Sequence, residues 1–106
     1  MRVDTRTALL QALLSGRGYG LELLQRIETS TGGRTRLAQG SLYPALRELE
    51  RNGLVESSEG SERVPERGGR PRIYYELTGE GRRVALEERS AGWGLFGAGP
   101  AEPALG

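Results

Sequence analysis

The segment from residue 39 to residue 52, QGSLYPALRELERN, constrains the fold of this chain more than any other. Leu42, Leu46 and Leu49 recur at helical spacing, so one face of a helix is apolar and can pack on a core. Pro44 is tolerated near the start because the first turn of a helix has no internal hydrogen bond to lose. The segment therefore predicts an amphipathic helix over 39–52 whose other faces carry aromatic and cationic groups.

Three further helices are predicted from apolar spacing and end signals. Asp4 or Thr5 can cap the first helix, and the second begins at about Gly20. Thr78 reads as the cap of a fourth helix that reaches about Ser90. The expected core face of the second helix consists of Leu21, Leu23, Leu24 and Ile27.

A β-hairpin is predicted between the third and fourth helices. Leu54 and Val55 begin one strand, and 73–77 forms its antiparallel partner, with the odd-numbered residues of 73–77 sharing one face. The intervening 57–70 segment is polar, charged and Gly- and Pro-bearing, which predicts a long hairpin tip rather than a packed element. The order helix, helix, helix, strand, wing, strand, helix predicts a mainly α fold with a small β-hairpin, the winged helix-turn-helix.

Composition limits the chemistry of the chain. Its 106 residues suffice for one domain, and we expect a winged-helix domain over 1–91 followed by a flexible Gly- and Pro-rich tail over 92–106. The chain has no Cys and no His, so we expect neither disulfides, nor a metal site, nor a cofactor, nor an enzyme. The apolar runs are too short for a membrane span, and the missing cysteines fit a reducing cytoplasm.

A helix-turn-helix places the N-terminal half of its second helix in the major groove of DNA, which makes helix 39–52 the recognition candidate. Hydroxyls and arginines there can reach phosphates or bases, and arginines of the hairpin and of the preceding turn can reach phosphates or the minor groove. Alternatively, Tyr43 is a packing residue, Arg47 pairs with Glu50, and the loop arginines are merely solvated. The candidate DNA-binding residues are Arg34, Arg36, Gln39, Ser41, Tyr43, Pro44, Arg47, Arg67, Arg70 and Arg72.

Three motifs make the chain resemble the PadR family of bacterial transcriptional regulators from about Thr7 to Glu88. They are the Tyr-Gly pair that starts the second helix, GSLYPALRELERNGLV at 40–55 and GRPRIYYELTGEGR at 69–82. The resemblance implies a winged-helix homodimer that binds a pseudo-palindromic operator in double-stranded DNA, usually as a repressor. Glycines at 92, 94 and 97 break the fourth helix early, so we expect a minimal member with a short C-terminal helix.

The resemblance also implies that the fourth helix and the first build the dimer interface. Leu86 and Trp93 are seven residues apart, so Trp93 could pack across a two-fold axis, or it could cover the end of its own domain. Some family members bind flat aromatic compounds between dimer-related aromatic residues, so Trp93 and Phe96 could line the site of a small aromatic effector. The candidate dimer residues are Leu9, Leu13, Val84, Leu86 and Trp93.

Two functions fit these features. The first is a cytoplasmic, sequence-specific DNA-binding transcriptional regulator, a homodimeric repressor that uses helix 39–52 and a basic wing. The alternative is a winged helix that serves as a protein-interaction module, which the net charge of only +1 favours. Salt separates them, because DNA binding through phosphates weakens steeply with ionic strength and an apolar protein contact does not.

Overall fold

The structure, a computed structural model, describes residues 4–91, and within that range four helices pack with a three-stranded antiparallel sheet. The expected mainly α fold with a β-hairpin wing is confirmed. The predicted tail at 92–106 lies outside the described residues. No helix between residues 4 and 91 is long and apolar enough to cross a membrane. The elements are α1 (Thr5–Leu13), β1 (Gly18–Tyr19), α2 (Gly20–Ser30), α3 (Gln39–Arg51), β2 (Val55–Val64), a 3-10 turn (Pro65–Arg67), β3 (Arg70–Leu77) and α4 (Gly79–Ser90).

Side-chain caps fix where α1 and α4 begin. Asp4 accepts the backbone N–H of Thr7 at 2.7 Å. The hydroxyl of Thr78 accepts the N–H of Gly81 at 3.0 Å and donates to the carbonyl of Gly53 at 2.7 Å. Both caps were predicted from the residue types. Because Gly53 lies just after α3, the Thr78 hydroxyl also ties the start of α4 to the end of α3.

α1 lies at the centre of the core. Its residues 8–13 are all buried, and the helix contacts α2, α3, α4 and β3. Leu42, Leu46 and Leu49 are fully buried in the same apolar cluster, which confirms the predicted seam of α3. Since one face of α3 is fixed to the core, its opposite face must lie on the surface.

Two expectations about apolar side chains are wrong. Leu9 and Leu13 were expected at a dimer interface, but they are 0% and 2% exposed within the single chain. The protein's own core covers both side chains, so no surface remains for a second copy. Leu21 was expected in the core and is 55% exposed. Leu23 and Ile27 form the buried seam of α2 at a spacing of four, and a residue two positions before Leu23 points to the other side of the helix.

The sheet differs from the predicted hairpin in two respects. β2 runs as far as Val64, so the tip is only the 65–69 segment and not 57–70. The sequence gives no strand pattern here, because nearly all the side chains of β2 face solvent and are polar. The strand forms through its backbone hydrogen bonds with β3. In addition, β1 pairs with β3 through Gly18 and Tyr19, which gives the strand order β1-β3-β2. Two residues are too short for any periodic signal.

We expect Gly81→Ala to destabilise the fold, whereas Gly79→Ala in the same helical turn does not. A Cβ at Gly81 would overlap the carbonyl oxygen of Leu54, and a Cβ at Gly79 would meet nothing within 4 Å. The obstacle at Gly81 is backbone, so the strain should cost at least the ~1–3 kcal/mol typical of overpacking. Urea unfolding of both variants measures this difference. Equal free energies of unfolding would contradict the packing of α4 on the backbone of Leu54, just before β2.

Candidate nucleic-acid interface

The outward face of α3 carries five of the ten residues predicted to contact DNA. Gln39, Ser41, Pro44 and Arg47 are exposed, and Tyr43 is half-buried. All five lie in the first nine residues of the helix, opposite or beside the buried leucine seam. The helix therefore presents a hydroxyl, an amide, an apolar ring and a guanidinium on one accessible surface.

Tyr43 packs against the first residue of α2. A Cβ added at Gly20 would overlap the hydroxyl of Tyr43 and crowd its ring, so only glycine fits beneath this side chain. Tyr43 is therefore a packing residue, as one of the two interpretations of the sequence predicts. Contact with DNA stays a prediction for its accessible part.

Arg47 does not pair with Glu50. No ion pair joins Arg47 to a carboxylate in the described part of the chain. The carboxylate of Glu50 instead accepts the hydroxyl of Ser57 at 2.8 Å, which ties α3 to β2. The exposed guanidinium of Arg47 thus keeps its donors accessible to a ligand.

The wing tip is held by its own arginines. Arg67 Nε donates to the carbonyl of Pro71 at 3.1 Å, and Arg70 Nε donates to the carbonyl of Arg67 at 2.8 Å. Arg63 Nη1 donates to the carbonyl of Gly69 at 3.2 Å. Each bond uses one of the five N–H donors of a guanidinium, so the remaining donors can still meet phosphate. The tip is hence a turn ordered by three guanidinium groups rather than a loop of merely solvated charges, and Glu66 lies within it.

Arg72 belongs to a group of four side chains that we call the Arg–Tyr stack. Its guanidinium carbon lies 4.5 Å from the ring centroid of Tyr19, and the Arg17 guanidinium carbon lies 4.1 Å from that of Tyr74. The two rings meet edge to face, with centroids 5.6 Å apart. Sequence reasoning missed Arg17 and Tyr19. The pairing of β1 with β3 that brings them here had no periodic signal in the sequence.

The connector before α3 holds Arg34 and Arg36, both exposed. Arg36 Nη2 lies 3.0 Å from the carboxylate of Glu28 on α2, and its side chain is 75% exposed. The N–H of Thr35 donates to the hydroxyl of Thr31 at 3.0 Å, which shapes the turn between the two helices. Arg36 is thus held toward α2 by an exposed ion pair, and such pairs contribute little and exchange readily.

A groove of about 590 Å³ separates α3 from the wing. Gln39 and Tyr43 line it from α3, and Arg67 and Arg72 line it from the wing. The structure thus brings four of the ten predicted residues together around one concave surface. The exposed Leu21 of α2 adds an apolar wall.

Tyr75 forms part of the groove wall and is 8% exposed. Burial raises the pKa of its hydroxyl above the ordinary tyrosine value. The nearby Tyr43 and the carboxylate of Glu50 raise this pKa further, whereas the guanidinium groups of Arg47 and Arg67 oppose the rise. The phenol therefore stays protonated at neutral pH and can donate a hydrogen bond into the groove.

The predicted dimer surface is only partly available. Leu86 on α4 is 45% exposed, and Val84 is half-buried against the core. Around them α4 is charged, with Arg83 paired to both Glu80 and Glu87. Trp93 lies outside the described residues.

Residues 9–88 match the model of the transcriptional regulator PadR-like family. A transcriptional regulator from Clostridium thermocellum is 29% identical over 82% of this chain and 78% of its own, with a TM-score of 0.69. A PadR family transcription regulator from hypervirulent Clostridium difficile R20291 is 25% identical over 82% and 84%, with a TM-score of 0.67. The circadian clock associated protein Pex from Anabaena is 32% identical over 80% and 73%, with a TM-score of 0.62. No curated protein sequence matches the chain.

We expect Gly20→Ala to displace Tyr43 and to lower stability by about 1–3 kcal/mol, the usual cost of overpacking. Gly40→Ala is the matched control, because a Cβ there meets nothing within 4 Å. Tyr43→Ala should remove most of the penalty of Gly20→Ala, since the obstacle is the tyrosine ring. Urea unfolding of the single and double variants measures this coupling. An equal penalty in both backgrounds would show that Tyr43 does not lie on Gly20.

Proposed function

Because the chain belongs to the PadR-like family of transcriptional regulators, we propose that it is a homodimeric repressor that reads a pseudo-palindromic operator with α3 and the wing. Its role as a DNA-binding transcriptional regulator follows from that membership. The observation that carries the finer proposal is the groove, in which side chains of α3 and of the wing converge on one surface. DNA in the cytoplasm is the partner, and the proposed role involves no catalysis.

Base reading is assigned to α3. Gln39 and Arg47 are long, exposed side chains near the start and middle of the helix, and their amide and guanidinium groups suit adenine and guanine edges in the major groove. The exposed ring of Pro44 offers apolar contact to a thymine methyl group. Ser41 and Tyr43 supply hydroxyls for phosphates or bases.

The groove between α3 and the wing would take the sugar–phosphate backbone of one strand. Arg67 and Arg72 supply cationic donors for phosphate, and the protonated hydroxyl of Tyr75 supplies a neutral donor. The apolar surface of Leu21 suits deoxyribose. Arg34, Arg36 and Arg70 would contact phosphates that flank the part of the strand bound in the groove. Arg36 exchanges Glu28 for a phosphate in doing so.

The dimer would place two copies of α3 in successive major grooves, as half-site spacing requires. Exposed Leu86 and half-buried Val84 on α4 are the apolar residues we assign to the interface, together with Trp93. A small aromatic effector bound near Trp93 stays a prediction from family resemblance. Occupation of a promoter by such a dimer excludes polymerase, which is the basis for a repressor.

We expect Arg47→Ala to raise the Kd for the operator about tenfold or more, since a lost base contact costs about 1–3 kcal/mol. Arg51→Ala is the control. Arg51 is exposed on the last turn of the same helix, and its substitution removes the same charge as Arg47→Ala does. The measurement is binding to a labelled DNA fragment from upstream of the protein's own gene, across a salt series, against a scrambled competitor. Wild-type affinity should fall steeply with salt.

Two results would contradict the proposal. Equal effects of the two substitutions would mean that α3 does not dock with its N-terminal half. Affinity that is weak, equal for both DNAs and insensitive to salt would favour the protein-interaction module, for which the small net charge is the supporting observation.

We expect Leu86→Ser to weaken the dimer and Leu21→Ser to leave it intact. Both leucines are exposed in the single chain, and only Leu86 lies on α4. Sedimentation velocity over a range of protein concentrations measures the monomer–dimer equilibrium. A dimer that Leu86→Ser leaves unchanged would move the interface away from this part of α4.

A further inference from the structure

The Arg–Tyr stack borders a second cavity, on the opposite side of the wing from the core. Arg17 and Arg72 both line this cavity of about 160 Å³, together with Tyr74 and the backbone turn of β2 at 60–62. The side of β3 that carries Tyr74 faces away from the core, since Tyr75 takes the core side. The cavity is therefore separate from the groove between α3 and the wing, although Arg72 borders both.

An irregularity in the pairing of β2 with β3 lies beside this cavity. Its regular pairing with β3 is interrupted between Glu59 and Arg63, which turns the 60–62 segment out of the ladder. Gly60 is required there, because a Cβ would lie 2.7 Å from a ring carbon of Tyr74. The ring of Tyr74 thus lies directly on the backbone of β2, and Ser61 and Glu62 reach the cavity rim.

Stacking on a ring face orients a guanidinium without using its N–H donors. Arg17 over Tyr74 and Arg72 over Tyr19 are held by cation–π attraction, and the edge-to-face contact of the two rings fixes one pair relative to the other. The donors of a guanidinium lie in its plane, so a stacked guanidinium still offers its edge to an oxyanion. Two such edges border one small cavity here.

A carboxylate already lies near one of these edges. Glu62 Oε1 is 4.0 Å from Arg72 Nη1, and the Glu62 side chain is 82% exposed. An ion pair that is this long and this exposed is weak, so the carboxylate can leave for solvent. It marks the direction from which an oxyanion would approach Arg72.

We propose that the cavity is a binding site for a phosphate group, held by the guanidinium groups of Arg17 and Arg72 and by the hydroxyl of Ser61, with Glu62 displaced. Tyr19 and Tyr74 are positioning residues that orient the two guanidinium groups. A DNA backbone phosphate beside the operator is the source that we test first, and for that source the inference rests on the proposed function. Free phosphate has the same chemistry and is the second arm of the test.

The first arm compares Arg17→Gln with Arg82→Gln in operator binding. Both remove one positive charge from an exposed arginine, but Arg82 lies on α4 and not in the stack. Arg17→Gln should raise Kd about three- to tenfold and reduce the slope of log affinity against log salt by about 0.9, the contribution of one phosphate. Arg82→Gln should change neither quantity. Equal effects of the two would overturn the DNA phosphate.

A double-mutant cycle tests the positioning role. Tyr74→Leu should weaken operator binding as much as Arg17→Gln does. Tyr74→Phe should keep the wild-type affinity for the operator, because it keeps the ring face. In the Arg17→Gln background, Tyr74→Leu should cause little further loss. If Tyr74→Leu weakens operator binding as much in the Arg17→Gln background as in the wild-type protein, Tyr74 has a general structural role and its positioning role is overturned. Urea unfolding confirms that each variant is folded at the assay temperature.

The second arm follows the Arg side-chain N–H signals of the intact protein by NMR during additions of inorganic phosphate, with sodium chloride matched in ionic strength. Arg17 and Arg72 signals should shift with phosphate and not with chloride. Because Arg72 also borders the groove between α3 and the wing, the Arg17 signals decide the source. Arg17 shifts with inorganic phosphate but none with operator DNA would assign the site to the free anion. Absence of shifts with either would overturn the site, whereas unaltered operator binding by Arg47→Ala bears only on the proposed function.

Discussion

Burial of α1 is the constraint on which the rest of the structure depends. Residues 8–13 are inaccessible, so α2, α3 and α4 must each place an apolar face on this one helix. α3 does so with three leucines, and the geometry of a helix then forces its Gln39 and Arg47 to the surface. Exposure of the reading face is hence a consequence of core packing rather than a separate feature of the sequence.

A buried amide fixes α4 in the same way. Gln11 is 0% exposed; its Nε2 donates to the carbonyl of Ala85 at 2.8 Å, and its Oε1 accepts from Arg89 Nε at 3.2 Å. A buried polar group must be satisfied, so the rotation of α4 about α1 is restricted to positions that preserve these bonds. Leu86 consequently faces outward on a defined side of the domain.

The elements predicted from the sequence are those whose signals are local. Asp4 and Thr78 cap helices through neighbours three residues away, and such spacing can be read directly. An apolar side chain indicates that it will be buried, but it does not indicate whether its own domain or a second protomer buries it. For this reason the sequence allows Leu9 at a dimer interface, although the core of the single chain buries it. β1 and the Arg–Tyr stack depend on residues more than 50 positions apart, such as Tyr19 and Tyr74, and no local pattern encodes that pairing.

The small net charge does not argue against a nucleic-acid partner, because a ligand meets the local arrangement of charges and not their sum. On α4, Glu80 and Glu87 neutralise Arg83. On the wing, the guanidinium groups of Arg67 and Arg70 bind backbone carbonyls, and Arg72 stacks on a ring while Glu62 lies 4.0 Å away as a weak, exposed partner. A guanidinium held only by a carbonyl or a ring has no anion beside it to offset its field, whereas the carboxylates beside Arg83 offset the field of that guanidinium. Among the described residues no carboxylate forms an ion pair with Arg67 or Arg70, so both guanidinium groups stay available to a phosphate although the wing as a whole also carries glutamates.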